Sequence, residues 1–264
     1  MSNELVSGAL EAGVLRLTLN DPSSRNSLSE SMMAALKAEL DAAAAASAAR
    51  VIVIAANGPA FSSGHNLKEI SAHRQDADKG AAYFADLFAQ CAALMMGIVR
   101  HPKPIIAEVQ GLASAAGCQL VASCDLAIAS ETATFCTPGV NIGLFCSTPM
   151  VALGRNVSSK HAMEMLLTGD TIDASDALRM GLVNRVVKAR ELTTGTMAMA
   201  AKIASKSQLT LKTGKAAFYA QREMPLADAY AYTARVMTEN LMARDAEEGI
   251  SAFIGKRPPR WEDR

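Results

Sequence analysis

Histidine and cysteine, the residues from which zinc sites are usually built, are scarce and scattered in this sequence. Its 264 residues include four histidines, which stand singly, and five cysteines without C-x-x-C spacing. An odd number of cysteines without paired spacing indicates neither a disulfide framework nor a zinc site. The sequence therefore predicts that no metal is bound.

An excess of charge of either sign is also missing. The 26 lysines and arginines equal the 26 aspartates and glutamates, so the chain has no basic field that would attract nucleic acid. We expect no nucleic-acid partner. A phosphate-bearing ligand would have to be bound by a few local cations.

Neither a secretory signal nor a membrane-spanning segment is predicted. Residues 1–5 lack a basic region followed by an apolar core, and no apolar stretch reaches membrane-spanning length without interruption. We therefore expect a cytoplasmic protein without a membrane partner. Hydrophobic residues make up 50% of the chain, which is enough for a buried core at this length.

Short apolar runs alternate with helical patterns over most of the chain. Residues 51–54 and 104–109 are apolar runs that predict buried strands. Residues 6–20 alternate between apolar and polar side chains around Glu11-Ala-Gly13, which predicts a hairpin. Strand, crossover helix and strand in succession predict right-handed units that coil into a spiral.

Helical patterns dominate two other parts of the sequence. Ser27, followed by Glu30, predicts a capping box at the start of a long alanine-rich helix that ends near Ala48. From residue 192 the pattern is helical almost to the end, and the apolar side of these helices needs a surface to pack on. We therefore divide the chain into a core, residues 1–191, and a C-terminal helical region, residues 192–264.

One helix start is built so that backbone can approach a ligand. Residues 112–117 read Leu-Ala-Ser-Ala-Ala-Gly and contain no side chain larger than leucine. The next helix begins there with free amides in its first turn. Such a helix start stabilises negative charge, including that of an oxyanion.

Two stretches carry a resemblance to a known superfamily. Residues 60–69, Ala-Phe-Ser-Ser-Gly-His-Asn-Leu-Lys-Glu, are similar to an A-F-x-x-G-x-D-L loop, and residues 111–120 are similar to a G-x-x-x-G-G-G-C-E-L helix start. Both belong to the crotonase superfamily, the enoyl-CoA hydratase/isomerase family. The likeness covers nearly the whole chain with its order and spacing intact. It implies an α/β fold, a crotonase-type spiral of ββα units with a C-terminal helical region.

The resemblance also implies a ligand and a way to bind it. The ligand is an acyl-CoA thioester, so that coenzyme A is part of the substrate and no separate cofactor is expected. The thioester oxygen would lie in an oxyanion hole between two backbone amides, which fall on His65 and Ala116 in this sequence. General-base catalysis by the His65 imidazole is the weaker alternative, because no carboxylate orients it in the sequence.

Contacts with coenzyme A are also implied by the resemblance. Arg25 and Lys68 match positions near the nucleotide, although either could instead be a solvated surface charge. Lys256 falls in the closing F-x-x-K-R-x-P pattern, where a lysine can reach the nucleotide. Asn66 has a structural alternative, the capping of the following helix. The loop positions assigned to coenzyme A are Ser63, His65, Asn66, Leu67 and Lys68.

The sequence departs from the family pattern at both catalytic acids. Hydratases of the family carry two glutamates, at positions where this chain has Gln119 and Gly139. Hydration needs one group that activates water and one that protonates the α-carbon, and carboxylates of raised pKa suit both roles. Cys146 is a poor substitute, because no cationic neighbour would stabilise its thiolate. The ordinary two-glutamate reaction is therefore not expected.

Two functions remain open. The first, which we favour, is an enzyme of the enoyl-CoA hydratase/isomerase class that stabilises a thioester enolate, with its proton-transfer groups unassigned. The second is a non-catalytic acyl-CoA-binding or regulatory protein that has lost the acids. By resemblance, the assembly is a homotrimer or a dimer of trimers.

Overall fold

The computed structural model describes residues 4–264, which form two sheets and a series of helices. The strands are β1 (Val6–Glu11), β2 (Val14–Leu19), β3 (Val51–Ala56), β4 (Ala60–Ser62), β5 (Ile105–Val109), β6 (Leu112–Ser114), β7 (Leu126–Ser130), β8 (Thr134–Cys136), β9 (Ile172–Asp173) and β10 (Arg185–Val187). The α-helices are α1 (Glu30–Ala45), α2 (Leu67–His73), α3 (Ala81–Arg100), α4 (Ala116–Ser123), α5 (Pro149–Leu153), α6 (Ser159–Thr168), α7 (Ala174–Met180), α8 (Leu192–Ala204), α9 (Gln208–Gln221), α10 (Leu226–Leu241) and α11 (Arg244–Ile254).

The larger sheet has six strands in the order β1-β2-β3-β5-β7-β10. Strands β1 and β2 form the predicted antiparallel hairpin, in which Ala12 and Gly13 have φ values of 47° and 81°, as a tight two-residue turn requires. The other pairs are parallel. Strand β3 is buried from Val51 to Ala55, as expected for a parallel strand that is covered on both faces.

The smaller sheet has the order β4-β6-β8-β9. Strands β4, β6 and β8 each follow directly on a strand of the larger sheet, so the chain crosses from one sheet to the other before it enters a helix. Successive units lie side by side in both sheets. This arrangement confirms the predicted α/β spiral of ββα units.

The start of α1 differs from the prediction. The N-cap is Ser29, whose hydroxyl accepts a hydrogen bond from the Met32 amide at 3.1 Å. Ser27 is buried ahead of the helix, and the helix ends at Ala45 rather than near Ala48. The prediction of the N-cap at Ser27 was therefore wrong by two residues, because Ser27 and Ser29 both precede an apolar helical pattern.

Helix α3 is long and apolar enough to cross a membrane by length and composition, although Asp86 interrupts its apolar sequence. One side of it packs into the protein core instead, through Leu87, Cys91, Leu94, Met95 and Ile98. The absence of a membrane partner stays a prediction.

Helix α8 packs against the larger sheet. Ala200 and Ala204 are buried in a cluster with sheet residues, namely Val14, Val51, Val53 and Ile106. The first helix of the predicted C-terminal region thus finds its packing surface within the same chain, and α9 contacts α3 and α10. The division after residue 191 stays a prediction.

A buried ionic cluster connects α9 to the start of β5. Lys215 Nζ lies 2.7 Å from Asp125 Oδ2, and the two side chains are only 8% and 16% exposed. The Tyr219 hydroxyl donates to Asp125 Oδ1 at 3.0 Å, and the Ile105 amide donates to Oδ2 at 2.7 Å. The Asp125 carboxylate therefore has a structural role.

Replacing Asp125 by alanine is expected to destabilise the protein by about 3–5 kcal/mol, because the Lys215 charge stays buried without its partner. The exposed pair Lys37–Asp41 on α1 supplies the control. Asp41→Ala should change stability by less than about 1 kcal/mol. Denaturant unfolding measures both variants, and equal losses would contradict the structural role of Asp125.

Candidate functional site

The two stretches singled out in the sequence lie side by side. Strands β4 and β6 are parallel neighbours, and Ser62 pairs with Ala113. His65 and Ala116 each lie three residues beyond this pair, His65 in the loop after β4 and Ala116 at the start of α4. A Cβ atom placed on Gly64 would lie 3.2 Å from the Ala116 nitrogen. The fold therefore brings these two backbone segments into contact.

Glycine is required on both sides of this contact. A Cβ atom on Gly117 would lie 2.3 Å from the Ser62 carbonyl oxygen, and one on Gly64 would lie 2.9 Å from the Ser114 carbonyl oxygen. Gly64 also has a φ of +87°, which favours glycine. The loop and the helix start approach each other through backbone alone.

The residue directly before α4 is strained. Ala115, directly before the helix, has φ 50° and ψ −115°, a conformation that costs a non-glycine residue about 1–3 kcal/mol. Its amide donates to the Cys136 carbonyl at 2.9 Å, which helps to hold it. Ala116 begins the helix, so its amide has no partner within the helix. The sequence reasoning did not anticipate this strain.

His65 is held by its ring as well as by its backbone. Its Nδ1 lies 3.2 Å from the Leu28 carbonyl, and its ring contacts Phe88 edge-on with centroids 5.6 Å apart. Burial lowers the pKa of His65, which favours the neutral imidazole. Nε2 is buried and has no hydrogen-bond partner among residues 4–264. The Gly64 and Leu28 carbonyls are hydrogen-bonded in this loop, and the His65 amide donates to no acceptor among residues 4–264.

Arg25 lies beside the same loop. Its carbonyl accepts a hydrogen bond from the Ser63 amide at 3.0 Å, and the Ser63 hydroxyl donates to the Ser24 carbonyl at 3.2 Å. The Arg25 side chain is exposed. The neighbouring Asn26 is fully buried and donates to the Ala60 carbonyl at 2.8 Å. Sequence reasoning missed this anchoring role of Asn26.

Asn66 caps α2, as its structural alternative predicted. Its side chain accepts from the Lys68 amide at 3.1 Å and donates to Glu69 Oε1 at 3.0 Å. Leu67 and Lys68 are exposed. Lys256 is also exposed and follows α11. Within the described residues, no hydrogen bond or ion pair joins Lys256 to the loop of residues 60–69.

A cavity of about 780 Å³ lies among α3, α4, α5 and α9. Gln119 lines it from α4, one helical turn after Ala116, and is only 5% exposed. Cys91 donates to Gln119 Oε1 over a long Sγ–O distance of 3.9 Å. The two amides themselves are not part of the lining. The apolar wall includes Met95, Met96, Val99, Val151, Ala152 and Ala216.

Gly139 lies in a short 3₁₀ helix, Pro138–Ile142, and the surrounding atoms leave no space for a side chain at this position. A Cβ atom there would lie 2.7 Å from the Leu144 carbonyl oxygen and 2.9 Å from Cys146 Sγ. Gly139 does not have the left-handed φ that would by itself demand glycine. Burial raises the pKa of the Cys146 thiol, so this cysteine is not an activated nucleophile. In residues 4–264 no group of three metal-ligating side chains occurs, and the absence of a metal stays a prediction.

Comparison with known proteins identifies the family. The family model described as enoyl-CoA hydratase/isomerase matches residues 9–264. The chain belongs to the enoyl-CoA hydratase/isomerase family, within the crotonase superfamily. The mouse mitochondrial enoyl-CoA hydratase domain-containing protein 3 is 49% identical over 257 residues, which cover 97% of this chain and 84% of the mouse protein.

Solved structures of the family have the same fold. An enoyl-CoA hydratase from Mycobacterium smegmatis is 47% identical, with a TM-score of 0.92 over 97% of this chain and 98% of that one. The human enoyl-CoA hydratase domain-containing protein 3 is 47% identical, with a TM-score of 0.92 over 97% of this chain and 100% of that one.

The relatives contradict the expectation of a cytoplasmic protein. The mouse, human and rat proteins are all named as mitochondrial. The sequence criterion behind the expectation was a basic region followed by an apolar core, which describes secretory signals. Mitochondrial transit peptides are amphipathic and arginine-rich instead, so that criterion had no bearing on them.

Adding a methyl group at position 117 should disrupt the contact between the loop and α4. We expect Gly117→Ala to destabilise the protein by about 1–3 kcal/mol, because the Ser62 backbone must move. Gly97→Ala is the matched control, since nothing lies within 4 Å of a Cβ atom on this helical glycine. It should stabilise by roughly 0.5–1 kcal/mol. Denaturant unfolding of both variants tests this, and a neutral Gly117→Ala would contradict it.

Proposed function

We propose that the protein is an enzyme that binds an acyl-CoA thioester and stabilises its enolate. The thioester oxygen accepts hydrogen bonds from the His65 and Ala116 amides. The observation that supports this is the pairing of β4 with β6, in which both residues lie three positions beyond Ser62 and Ala113. Donors of this kind are effective where negative charge develops in the transition state.

Coenzyme A would bind along the loop after β4. The exposed side chains of Arg25 and Lys68 supply local positive charge for its phosphates, because the chain as a whole carries equal numbers of basic and acidic residues. Ser63, Asn66 and Leu67 belong to the same loop and would contact the ligand. Lys256, which has no hydrogen bond or ion pair with the loop among residues 4–264, would reach a nucleotide at a contact between subunits.

The reaction differs from two-glutamate hydration. An amide such as that of Gln119 neither activates water nor delivers a proton at neutral pH. The space at Gly139 is occupied by the Leu144 carbonyl and Cys146. The proton-transfer groups of the enzyme are therefore still to be assigned, and a turnover screen with enoyl-, hydroxyacyl-, malonyl- and simple acyl-CoA would define the reaction.

The alternative is a non-catalytic acyl-CoA-binding or regulatory protein. The observation that favours it is the chemistry of the cavity wall next to α4, where Gln119 replaces an ionisable side chain. Binding without turnover of every thioester in the screen would support this alternative.

Binding of acyl-CoA should be tighter than that of free coenzyme A, because only the thioester carbonyl uses the two amides. Ala116→Pro removes one donor at the first helical position, where proline is tolerated. A lost oxyanion donor typically costs about 3 kcal/mol of transition-state stabilisation, so any turnover should collapse. The control is Ser159→Pro, at the first position of α6. Equal affinities for acyl-CoA and coenzyme A in calorimetry would contradict the proposal.

Hydration of a short enoyl-CoA should be very slow, since each missing acid or base is worth about 10²- to 10⁴-fold. Gln119→Glu should raise the rate if the two amides are competent. The further change Gly139→Glu should raise it again only if the Leu144 backbone moves, so a lower melting temperature is expected for the double variant. A wild-type rate equal to that of ordinary hydratases would refute this assignment.

Assembly into a trimer, or a dimer of trimers, should cover the apolar residues that α10 and α11 leave exposed. These are Tyr230, Met237, Leu241, Met242, Phe253 and Ile254. Patches of this kind mark protein–protein contacts. Light scattering at micromolar concentration should give the mass of three or six chains, and a monodisperse monomer would contradict the proposed assembly.

A further inference from the structure

The cavity among α3, α4, α5 and α9 has an apolar wall that residues 4–264 leave partly uncovered. Its volume of about 780 Å³ is within the range of small-molecule pockets. Met96 and Val151, which line it from α3 and α5, are 47% and 50% exposed. Ala216 and Ala220 line it from α9. An apolar ligand would remove this surface from water, which favours its binding.

The charged side chains along the cavity wall are mainly positive. Five cationic side chains line it, against one carboxylate, that of Glu223. Arg155 lies 3.4 Å from this carboxylate, and Arg222 donates to the Arg155 carbonyl. Arg100 and Lys212 form neither a hydrogen bond nor an ion pair through their side chains within residues 4–264. An anionic ligand group could therefore pair with these two cations.

Arg100 and Lys212 lie at the same end of the cavity. Lys215 donates from Nζ to the Ile98 and Lys103 carbonyls, each at 3.1 Å. Helix α9 therefore crosses the end of α3, where Arg100 is the last residue. Lys212 precedes Lys215 by three residues and shares its helix face. The charge of Lys215 is already neutralised by its buried ion pair, so the other two cations are the ones left for a ligand.

The apolar part of the wall extends from this end along α9. From Lys212 to Ala220 the helix rises about 12 Å, at 1.5 Å per residue. Ala216 lies halfway, and Val99 and Met96 line the cavity from α3. This layout matches an extended alkyl chain with an anionic group at one end. Arginine and lysine stems add apolar surface beside such a chain, and their charged groups form strong hydrogen bonds with a carboxylate.

We propose that this cavity binds a fatty-acid anion, with its carboxylate between Arg100 and Lys212 and its alkyl chain along α9. The site is distinct from the one proposed for the thioester oxygen, because neither His65 nor Ala116 lines the cavity. The inference therefore does not depend on the function proposed above. An uncharged alcohol of the same chain length loses the ion pairs, and acetate loses the apolar contacts.

Calorimetry with decanoate, decanol and acetate, each without coenzyme A and below its micelle concentration, tests this site. We expect decanoate to bind about tenfold more tightly than decanol, as a charge-assisted hydrogen bond provides. Acetate should show no measurable binding. The preference for decanoate should shrink at high ionic strength, because Arg100 and Lys212 are both exposed.

Three variants locate the ligand. Arg100→Gln combined with Lys212→Gln removes both charges and should reduce the affinity for decanoate to that for decanol. Ala216→Trp fills the apolar part of the cavity and should weaken both ligands at least tenfold. Lys202→Gln is the control, since Lys202 is an exposed cation of α8 outside the cavity lining, and it should leave both affinities unchanged. Thermal unfolding establishes that each variant is folded, and the exposed charge variants decide the matter if Ala216→Trp is not.

Equal wild-type affinity for decanoate and decanol overturns the proposal, and so does a preference that persists in the double variant. Acetyl-CoA binding is then measured with and without saturating decanoate, and it should be unchanged. Displacement of acetyl-CoA would overturn a separate fatty-acid site and leave the proposed function intact. If acetyl-CoA binds no more tightly than coenzyme A, the proposed function fails, whereas the fatty-acid site is still decided by the decanoate measurements.

Discussion

The carbonyl of Ser62 lies so close to Gly117 that no side chain fits between them, and most of the site's geometry depends on this contact. It joins the end of β4 to the first turn of α4, which belong to successive units of the spiral. The strand that leads to Ser62 is held by Asn26, which donates to the Ala60 carbonyl, and the loop beyond Ser62 is held by the Leu28 amide, which donates to the Gly64 carbonyl. Two segments far apart in sequence are therefore held in contact.

The sequence predicted the strands of the larger sheet, whereas three strands of the smaller sheet were missed because they are short. Strands β3, β5 and β7 are apolar runs of five or six residues, long enough for their composition to indicate a buried strand. Strands β4, β6 and β9 have only two or three residues. Strand β6 was hidden within a segment that was interpreted as the start of a helix, because three residues show no periodicity.

The candidate site was predictable where glycine and small residues define it, and unpredictable where distant side chains do. Gly64, Gly117 and the helix start at Ala116 could be recognised in the sequence. The contact of Cys91 with Gln119 and that of His65 with Phe88 join residues of different elements, so no local pattern indicates them. The strain at Ala115 depends on packing around the helix start and is likewise invisible in the sequence.

The pairing of Ser62 with Ala113 also sets where the loop and the segment leading to α4 begin. Adjacent strands lie about 4.8 Å apart, so the two segments leave the sheet at roughly that separation. In the proposed site, two amides that kept this separation, each about 2.9 Å from one oxygen atom, would subtend an angle of about 110° at it. This is near the angle between the lone pairs of a carbonyl oxygen. The spacing of hydrogen-bonded strands, which is the same in every sheet, thus suits two donors to one oxygen atom before any side chain is chosen.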